Sequence, residues 1–104
     1  MSDKYILDGH VAVPVDDLLE WGRWFQTANL VVAKDTLPSG TYVSTVFLGS
    51  DYNHGFGTKP QIFETMVFGG PLDQEMDRYA TWEEAETGHA AMLARARQAE
   101  NGAA

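Results

Sequence analysis

Two neighbouring stretches of the chain read as β-strands that are apolar on both faces: Tyr42–Leu48 (YVSTVFL) and Gln61–Phe68 (QIFETMVF). A strand with one wet face alternates apolar and polar residues, whereas a strand covered on both faces does not. The pair therefore predicts the centre of a sheet with a cover on each face. Because a chain of 104 residues has little material of its own for a second cover, this pattern favours a homodimer in which a second copy covers the free face.

Length and composition predict one domain. The chain is 44% hydrophobic and 12% aromatic, which is enough for a single modest core. We expect one α+β domain over residues 1–99, followed by a frayed tail over residues 100–104. There is no cysteine, which excludes disulfides, thiol catalysis and cysteine-based zinc sites.

The charge distribution narrows the class of partner. Net charge is −8, and the seven Lys and Arg residues are scattered with no two adjacent. Nucleic-acid-binding proteins usually show a basic stripe, so we expect no direct binding of DNA or RNA. No stretch approaches the roughly 20 apolar residues of a membrane span, and the start (MSDKYILDG) does not resemble a secretory signal. These features predict a cytoplasmic protein with no membrane partner.

Turn and capping signals place the remaining elements around the central pair. Further strands are predicted at four places: Lys4–Leu7 and His10–Val13 around the turn Asp8-Gly9, Leu30–Thr36, and a short edge strand at Asp77–Ala80. Helices are predicted from Asp16 or Asp17 to about Ala28 and, after a capping box at Thr81–Glu84, to about Gln98. The order predicts an α+β fold: an antiparallel five- to six-stranded meander sheet with two helices packed on one face.

Three of the polar residues on the central strands form a possible buried cluster. Alternation places Tyr42 and Ser44 on one face of their strand, and Glu64 in an apolar row of the next. A buried Glu must be paired or must have a raised pKa, and a raised pKa suits a general acid or base. The alternative is a structural cluster in which Glu64 is hydrogen-bonded to Ser44, Tyr42 or a helix Trp, and this alternative is favoured because structural networks also perturb pKa values.

A twelve-residue segment between the central strands, Gly49–Pro60 (GSDYNHGFGTKP), combines hydrogen-bonding groups, aromatic rings and three glycines. Long loops of this kind are often functional, and aromatic side chains are good anchors for a partner. We take four of its residues as candidate partner-binding residues: Asp51, Tyr52, His54 and Phe56. The alternative is that the aromatic rings fold back onto the sheet edge. Asp51 and His54 alone do not make a metal site, and no metal or cofactor is predicted.

An acidic stretch follows the central strands. It contains Asp73, Glu75 and Asp77, and the next helix opens with three Glu residues. Such a surface is suited to a basic protein partner, and the alternative is a solvated edge with charges that complement the helix dipole. On that helix His89 falls on the stripe that faces the sheet, where a lone His is more often a satisfied core residue than a catalyst.

The chain carries no nucleophile elbow, phosphate-binding Gly loop, HExxH or Rossmann fingerprint. Three segments together resemble a family of small bacteriophage and prophage proteins: VSTVFLGSD at Val43–Asp51, FETMVFGG at Phe63–Gly70 and RYATWEEAETGHAAML at Arg78–Leu93. The resemblance implies a phage setting in a bacterial host. It supplies no activity and carries over no functional residue.

Small acidic phage proteins include anti-CRISPR and other counter-defence factors, which occupy a host protein or capture a signalling nucleotide. By analogy, the sequence favours a non-enzymatic phage accessory protein that binds and inhibits a host defence protein through its acidic surface and aromatic loop. Two alternatives stay open. One is a small-ligand protein that binds a nucleotide signal, and the other is a small hydrolase or isomerase that uses Glu64 or His54.

Overall fold

The computed structural model describes residues 3–51 and 59–102. Two helices and six strands occupy them, in the order β-β-α-β-β-β-β-α. Their bounds are β1 Tyr5–Asp8, β2 Val11–Pro14, α1 Leu18–Thr27, β3 Val31–Thr36, β4 Tyr42–Phe47, β5 Phe63–Phe68, β6 Met76–Tyr79 and α2 Trp82–Gly102. The predicted α+β class and the type of each element are therefore confirmed.

The predicted single meander sheet of five or six strands is wrong. The strands form two sheets: β3-β4-β5-β6 make a four-stranded antiparallel meander, and β1-β2 make a separate two-stranded sheet. The two sheets meet where β1 passes the end of β4. There the Tyr5 N–H donates to the Gly49 carbonyl at 2.9 Å and the Asp51 N–H to the Asp3 carbonyl at 2.8 Å.

One side chain of α1 bridges this junction. The Trp21 indole N–H donates to the carbonyls of Tyr5 at 3.1 Å and Gly49 at 3.0 Å, so both acceptors receive a side-chain donor. Gly49 also has a φ of 74°, which turns the chain out of the extended conformation. A Cβ added at Gly49 would lie 2.6 Å from the Phe25 ring, so α1 can pack closely only against a glycine.

The first hairpin has the predicted strands with its loop shifted by one residue. Asp8 pairs with Val11, so the two loop residues are Gly9 and His10 rather than Asp8 and Gly9. Gly9 has a φ of 62°, and His10 is not among the residues with positive φ. A two-residue loop that needs positive φ only at its first position takes Gly there, which fixes the register one step later than the Asp-Gly pattern predicted.

Both helices begin where their capping residues predict. Asp17 Oδ1 accepts from the backbone N–H of Leu19 at 2.9 Å and of Glu20 at 3.3 Å. At α2 the Glu84 N–H donates to Thr81 Oγ1 at 3.1 Å, and the Thr81 hydroxyl donates to the Glu84 carboxylate at 3.2 Å.

Helix α2 continues to Gly102, beyond the predicted end near Gln98. Its last turns therefore include residues 100–102 of the segment expected to fray. Glu100 ties them to the β3–β4 turn, because its Oε1 accepts from the Ser39 hydroxyl at 2.6 Å.

The four-stranded sheet has one covered face. Helix α2 packs across all four strands, and the side chains of β4 and β5 that point toward it are almost fully buried. They are Val43, Thr45 and Phe47 on β4 and Phe63, Thr65 and Val67 on β5, each 0–1% exposed. Helix α1 and the hairpin lie at one end of this same side, where Trp24 of α1 contacts the Phe47 ring edge-on at 5.7 Å.

Candidate functional site

The opposite side of the four-stranded sheet, called here the open face, is defined by the strand register. It presents the alternate residues of each strand: Val31, Lys34 and Thr36 on β3, Tyr42, Ser44 and Val46 on β4, Glu64, Met66 and Phe68 on β5, and Met76 and Arg78 on β6. Its central side chains are half-buried, and Val31 and Met76 at its edges are 45% and 42% exposed. The sequence predicted a cover on both faces, whereas helix α2 covers only the other one.

Aromatic and charged groups on the open face contact one another within the sheet. The rings of Tyr42 and Phe68 stack at 4.8 Å, as expected for a directly opposite pair on β4 and β5. The Lys34 ammonium lies 4.7 Å from the centre of the Tyr42 ring, a cation–π contact. On the neighbouring strands Arg78 Nε donates to Glu64 Oε2 at 3.1 Å.

The three residues predicted as a polar cluster all lie on the open face, and each is half-buried. Their contacts run to other residues: Tyr42 stacks on Phe68, and Glu64 pairs with Arg78. The sequence named Tyr42, Ser44 or a helix Trp as the partner of Glu64. The partner is Arg78 because β6 pairs with β5 in the register that puts Glu64 and Arg78 opposite each other.

A second polar cluster, called here the buried polar seam, was not predicted. It lies between α2 and the sheet, where His89 Nδ1 meets the Thr45 hydroxyl at 2.7 Å and His89 Nε2 meets the Asp35 carboxylate at 2.7 Å. The Thr45 hydroxyl also contacts the hydroxyl of Thr65. Thr45, Thr65 and His89 are at most 5% exposed, so these contacts satisfy groups that water does not reach. The prediction that His89 is a satisfied core residue facing the sheet is confirmed.

The seam has the acid–imidazole–hydroxyl order of a catalytic triad, but its orientation is reversed relative to an active site. Asp35 at the outer end has a side chain that is 52% exposed, while the Thr45 hydroxyl at the inner end is 0% exposed. A nucleophile must reach a substrate, and here the hydroxyl is enclosed and the carboxylate faces water. A carboxylate can only accept, so His89 Nε2 donates to Asp35, while His89 Nδ1 shares a hydrogen bond with the Thr45 hydroxyl, which can donate or accept.

Tyr79 lies on the same side of the sheet as the seam, beneath the first turns of α2. Burial raises the pKa of its hydroxyl, and the charge of Asp77 adds to that rise. The hydroxyl forms no hydrogen bond with any of the described residues. The ring lies against Gly88 of α2, where an added Cβ would be 2.2 Å from ring carbons. Gly88 therefore provides the space that lets α2 approach β6 over this ring.

The predicted loop residues fall largely outside the described residues: Tyr52, His54 and Phe56 are not among them. Asp51 is described and is 8% exposed. Its Oδ1 accepts from the Gln61 N–H at 3.0 Å, and its charge adds to burial in raising the pKa of the Tyr5 hydroxyl. Asp51 thus closes the base of the segment between β4 and β5.

The predicted acidic residues occupy a turn and the β6 edge, and all three are exposed. Asp73 accepts from the Gly69 N–H at 2.7 Å, which holds the turn, and Glu75 pairs with Arg95 at 3.2 Å. Asp77 forms no ion pair with any of residues 3–51 and 59–102.

Charge is unevenly divided between the sides of the molecule. Every charged residue lies within the described ranges. Glu64 is the single acid among the fifteen that falls on the open face, where the register also places Lys34 and Arg78. The remaining acids lie on the hairpin, the helices, the turns and the other sides of the strands, so the open face is the least negative side of an acidic protein.

The described residues were also compared with three other kinds of feature: a small-molecule pocket, a metal site and a membrane-spanning helix. One shallow pocket of about 210 Å³ lies between the β3–β4 turn and the end of α2, lined by Leu37, Pro38, Arg97, Glu100 and Asn101. No three His, Asp or Glu side chains among residues 3–51 and 59–102 are grouped closely enough to hold a metal ion. Neither of the described helices has the length and apolar character needed to span a membrane.

Comparison of the chain with protein-family models, with curated proteins and with solved structures found no match. The site is therefore defined by its own geometry: a partly exposed apolar sheet face on one side of the molecule and a predominantly acidic surface around the helices and hairpin.

Proposed function

We propose that the protein is a non-enzymatic binding protein whose acidic helix side engages a basic surface of another protein. The observation that supports this proposal is the uneven division of charge, with a single acid on the open face and the rest elsewhere in a chain of net charge −8. A field of one sign on one side attracts an oppositely charged partner and raises the rate of association.

The acidic residues at the start of α2 are the best placed for this contact. Glu83 and Glu86 are exposed and form no ion pair within residues 3–51 and 59–102, whereas Glu84 accepts from Thr81 in the cap. A carboxylate with no ion-pair partner in its own chain can bind a cation of another protein without first breaking an intramolecular ion pair. Glu83, in the first turn of α2, also complements the positive end of the helix dipole, an effect of a few tenths of a kcal/mol.

The sequence resemblance implies a phage setting. In this proposal the partner is therefore a host defence protein, and binding inhibits it. Occupying a basic surface blocks its normal ligand without any covalent step. Tyr52, His54 and Phe56 stay part of the proposal as anchors and belong to the residues that the structure does not describe.

Paired charge reversals test the proposal. We expect Glu83→Lys with Glu86→Lys to abolish capture of a bacterial host protein, and Asp16→Lys with Glu20→Lys, the same change of charge on the α1 side, to leave it intact. Capture is measured by affinity purification from host lysate at two ionic strengths, followed by the association rate of the purified partner. A surface contact through charge weakens as salt rises. Equal capture by both double variants would contradict the proposal.

A further inference from the structure

The first three elements of the chain form a unit of their own, called here the N-terminal unit. It comprises β1, β2 and α1, residues 3–27, and the elements from β3 to α2 are called here the main body. Helix α1 packs on β1 within the unit, whereas α2 packs on all four strands of the larger sheet within the main body. Residues 28–30 are the covalent link from α1 to β3, so the unit is joined to the main body by a short connection.

The N-terminal unit buries few of its own residues. None of the residues of β1, β2 or α1 is buried, and Val15, between β2 and α1, is the single buried residue among residues 3–27. Val11, Leu18 and Leu19 are 65%, 64% and 71% exposed. In the main body, β4 and β5 bury every second residue and α2 buries four. A region with few buried apolar contacts opens at a lower free energy than the core of the same protein.

A small set of polar contacts holds the base of β1 on the main body. The Tyr5 N–H donates to the Gly49 carbonyl at 2.9 Å, and the Lys4 ammonium donates to the Ser50 hydroxyl at 3.1 Å. The Trp21 indole N–H donates to the same Gly49 carbonyl at 3.0 Å. Both hydrogens that meet Gly49 therefore report whether the unit is in place.

Side-chain packing holds the rest of the unit. At the hairpin loop the His10 ring stacks on Trp82 of α2, with ring centres 3.9 Å apart. On α1, Trp24 meets the Phe47 ring edge-on at 5.7 Å, and half-buried residues of the hairpin pack on the same cluster. Phe47 is 1% exposed, so the unit covers the aromatic end of the core.

We infer that the N-terminal unit is a hinged cover, which swings about residues 28–30 and uncovers this aromatic end while the main body stays folded. A hinge consists of a few residues at the end of an element that absorb the change in φ and ψ. Ala28 is already extended, with φ −76° and ψ 147°, so α1 ends there and a rotation beyond it breaks no helical hydrogen bond. The open protein has an apolar surface around Phe47 that the closed protein lacks. A molecule that binds this surface binds the open state alone and increases its population.

Hydrogen exchange detected by NMR tests the opening on the wild-type protein. The Val67 amide, which donates to the Glu75 carbonyl at 3.0 Å, reports on the main body. We expect protection of the Tyr5 amide and the Trp21 indole N–H to be at least about 100-fold lower than that of Val67. Both should depend weakly and equally on urea, because one opening that exposes little surface releases both. Equal protection of all three hydrogens would overturn the inference.

A reversible disulfide distinguishes movement of the unit from a local flip of the Trp21 side chain. Lys4 and Ser50 stand opposite each other in an isolated antiparallel bridge, flanked by the hydrogen bonds of Tyr5 and Asp51. Such a pair has its Cα atoms about 4.5 Å apart, which suits a disulfide. The chain has no cysteine, so Lys4→Cys with Ser50→Cys gives one defined cross-link.

The closed disulfide holds the unit at β1 as well as at residues 28–30. Protection of the Trp21 indole should then rise by about tenfold or more, since the opening that releases it is blocked. Reduction should return it to the lower value, and the reduced protein is the matched control because it carries the same substitutions. A Trp21 indole whose protection ignores the disulfide flips by itself, and this result would contradict a moving unit.

Two further substitutions have different expected signatures. Met92 on α2 packs with Val43 and Val67, so Met92→Ala should lower the protection of the Val67 amide by about 30-fold. It should leave the Tyr5 amide unchanged, because an opening that keeps α2 in place is unaffected by that cavity. Gly49→Ala should lower the protection of both amides, because it destabilises the closed state itself.

The strain in Gly49→Ala comes from two sources. Gly49 has a φ of 74°, and an added Cβ would lie 2.6 Å from the Phe25 ring of α1. Gly40→Ala is its control, since Gly40 also has positive φ but has open space around it. We expect Gly49→Ala to lower the protection of Tyr5 by more than Gly40→Ala does. Circular dichroism establishes that each variant is folded. Equal losses at Tyr5 and Val67 in Met92→Ala would show that the unit and the main body unfold together, and would overturn the inference.

Discussion

The two faces of the four-stranded sheet are built from the same strands and differ sharply in their surroundings. On β5, Phe63 points toward α2 and is fully buried, while Phe68, five residues later, points away and is half-buried. Both faces carry aromatic rings and both carry polar groups. The difference lies in how each face satisfies its polar groups.

Thr45, Thr65 and His89 on the covered face are paired inside the protein, because leaving such groups unpaired there is costly. Thr45 and Thr65 contact each other, and His89 links Thr45 to Asp35 at the surface. On the open face Glu64 and Arg78 pair along the sheet and remain partly accessible to water. The covered face therefore determines stability, and the open face is available for binding.

The largest difference between the faces is expected for loss of a ring. Phe63→Ala should lower the free energy of unfolding by about 3–5 kcal/mol, because it leaves a cavity in a fully buried site. Phe68→Ala removes the same atoms from the same strand but should cost only about 1 kcal/mol, since its ring is half-buried and water fills the space. Urea denaturation of dilute protein measures both.

Protein concentration provides a second comparison of the two substitutions. If the open face dimerises, the cost of Phe68→Ala should grow with protein concentration, while the cost of Phe63→Ala changes little. Equal costs for the two substitutions at low concentration would contradict the difference between the two faces.

A smaller difference is expected for loss of a hydroxyl. Thr45→Val keeps the shape of the side chain and leaves His89 Nδ1 and the Thr65 hydroxyl without their shared partner. We expect a loss of about 1–3 kcal/mol in the free energy of unfolding. Ser44→Ala, the adjacent residue on the open face, should change it by less than about 0.5 kcal/mol. A neutral Thr45→Val would mean that the seam contributes nothing to stability.

Local signals predicted the elements well. The Asp17 cap, the Thr81–Glu84 cap and the period-two pattern of the central strands depend on residues a few positions apart, and each lies where expected. The junction between the two sheets instead involves the Trp21 indole, which donates to a carbonyl 28 residues away. No local pattern encodes that contact.

In the candidate site, too, local patterns predict the single residues but not the contacts between residues far apart in the sequence. Alternation along the two central strands puts Thr45 and Thr65 on the faces opposite Ser44 and Glu64, and the helical stripe puts His89 against the sheet, so each member of the seam is predictable by itself. Their connection to Asp35 joins residues 54 positions apart. Likewise, alternation located Glu64, but its pairing with Arg78 needs the register between β5 and β6, which depends on how the turn after β5 closes.

The smallest predicted effect concerns the far end of the covered face, where the last turns of α2 are held to the β3–β4 turn. Hydrogen bonds from Ser39 and Thr41 lower the pKa of Glu100 below its ordinary value of 4.5. A carboxyl with a lowered pKa in the folded state stabilises the fold above its unfolded pKa, and this stabilisation is lost as pH falls through the folded pKa. We expect Glu100→Gln to reduce the urea midpoint slightly at neutral pH and to converge with the wild type in acid, because protonation makes the two side chains equivalent as charges. Glu86→Gln, an exposed substitution on the same helix, is the control, and a gap between Glu100→Gln and wild type that stays constant into acid would assign the contact to shape rather than charge.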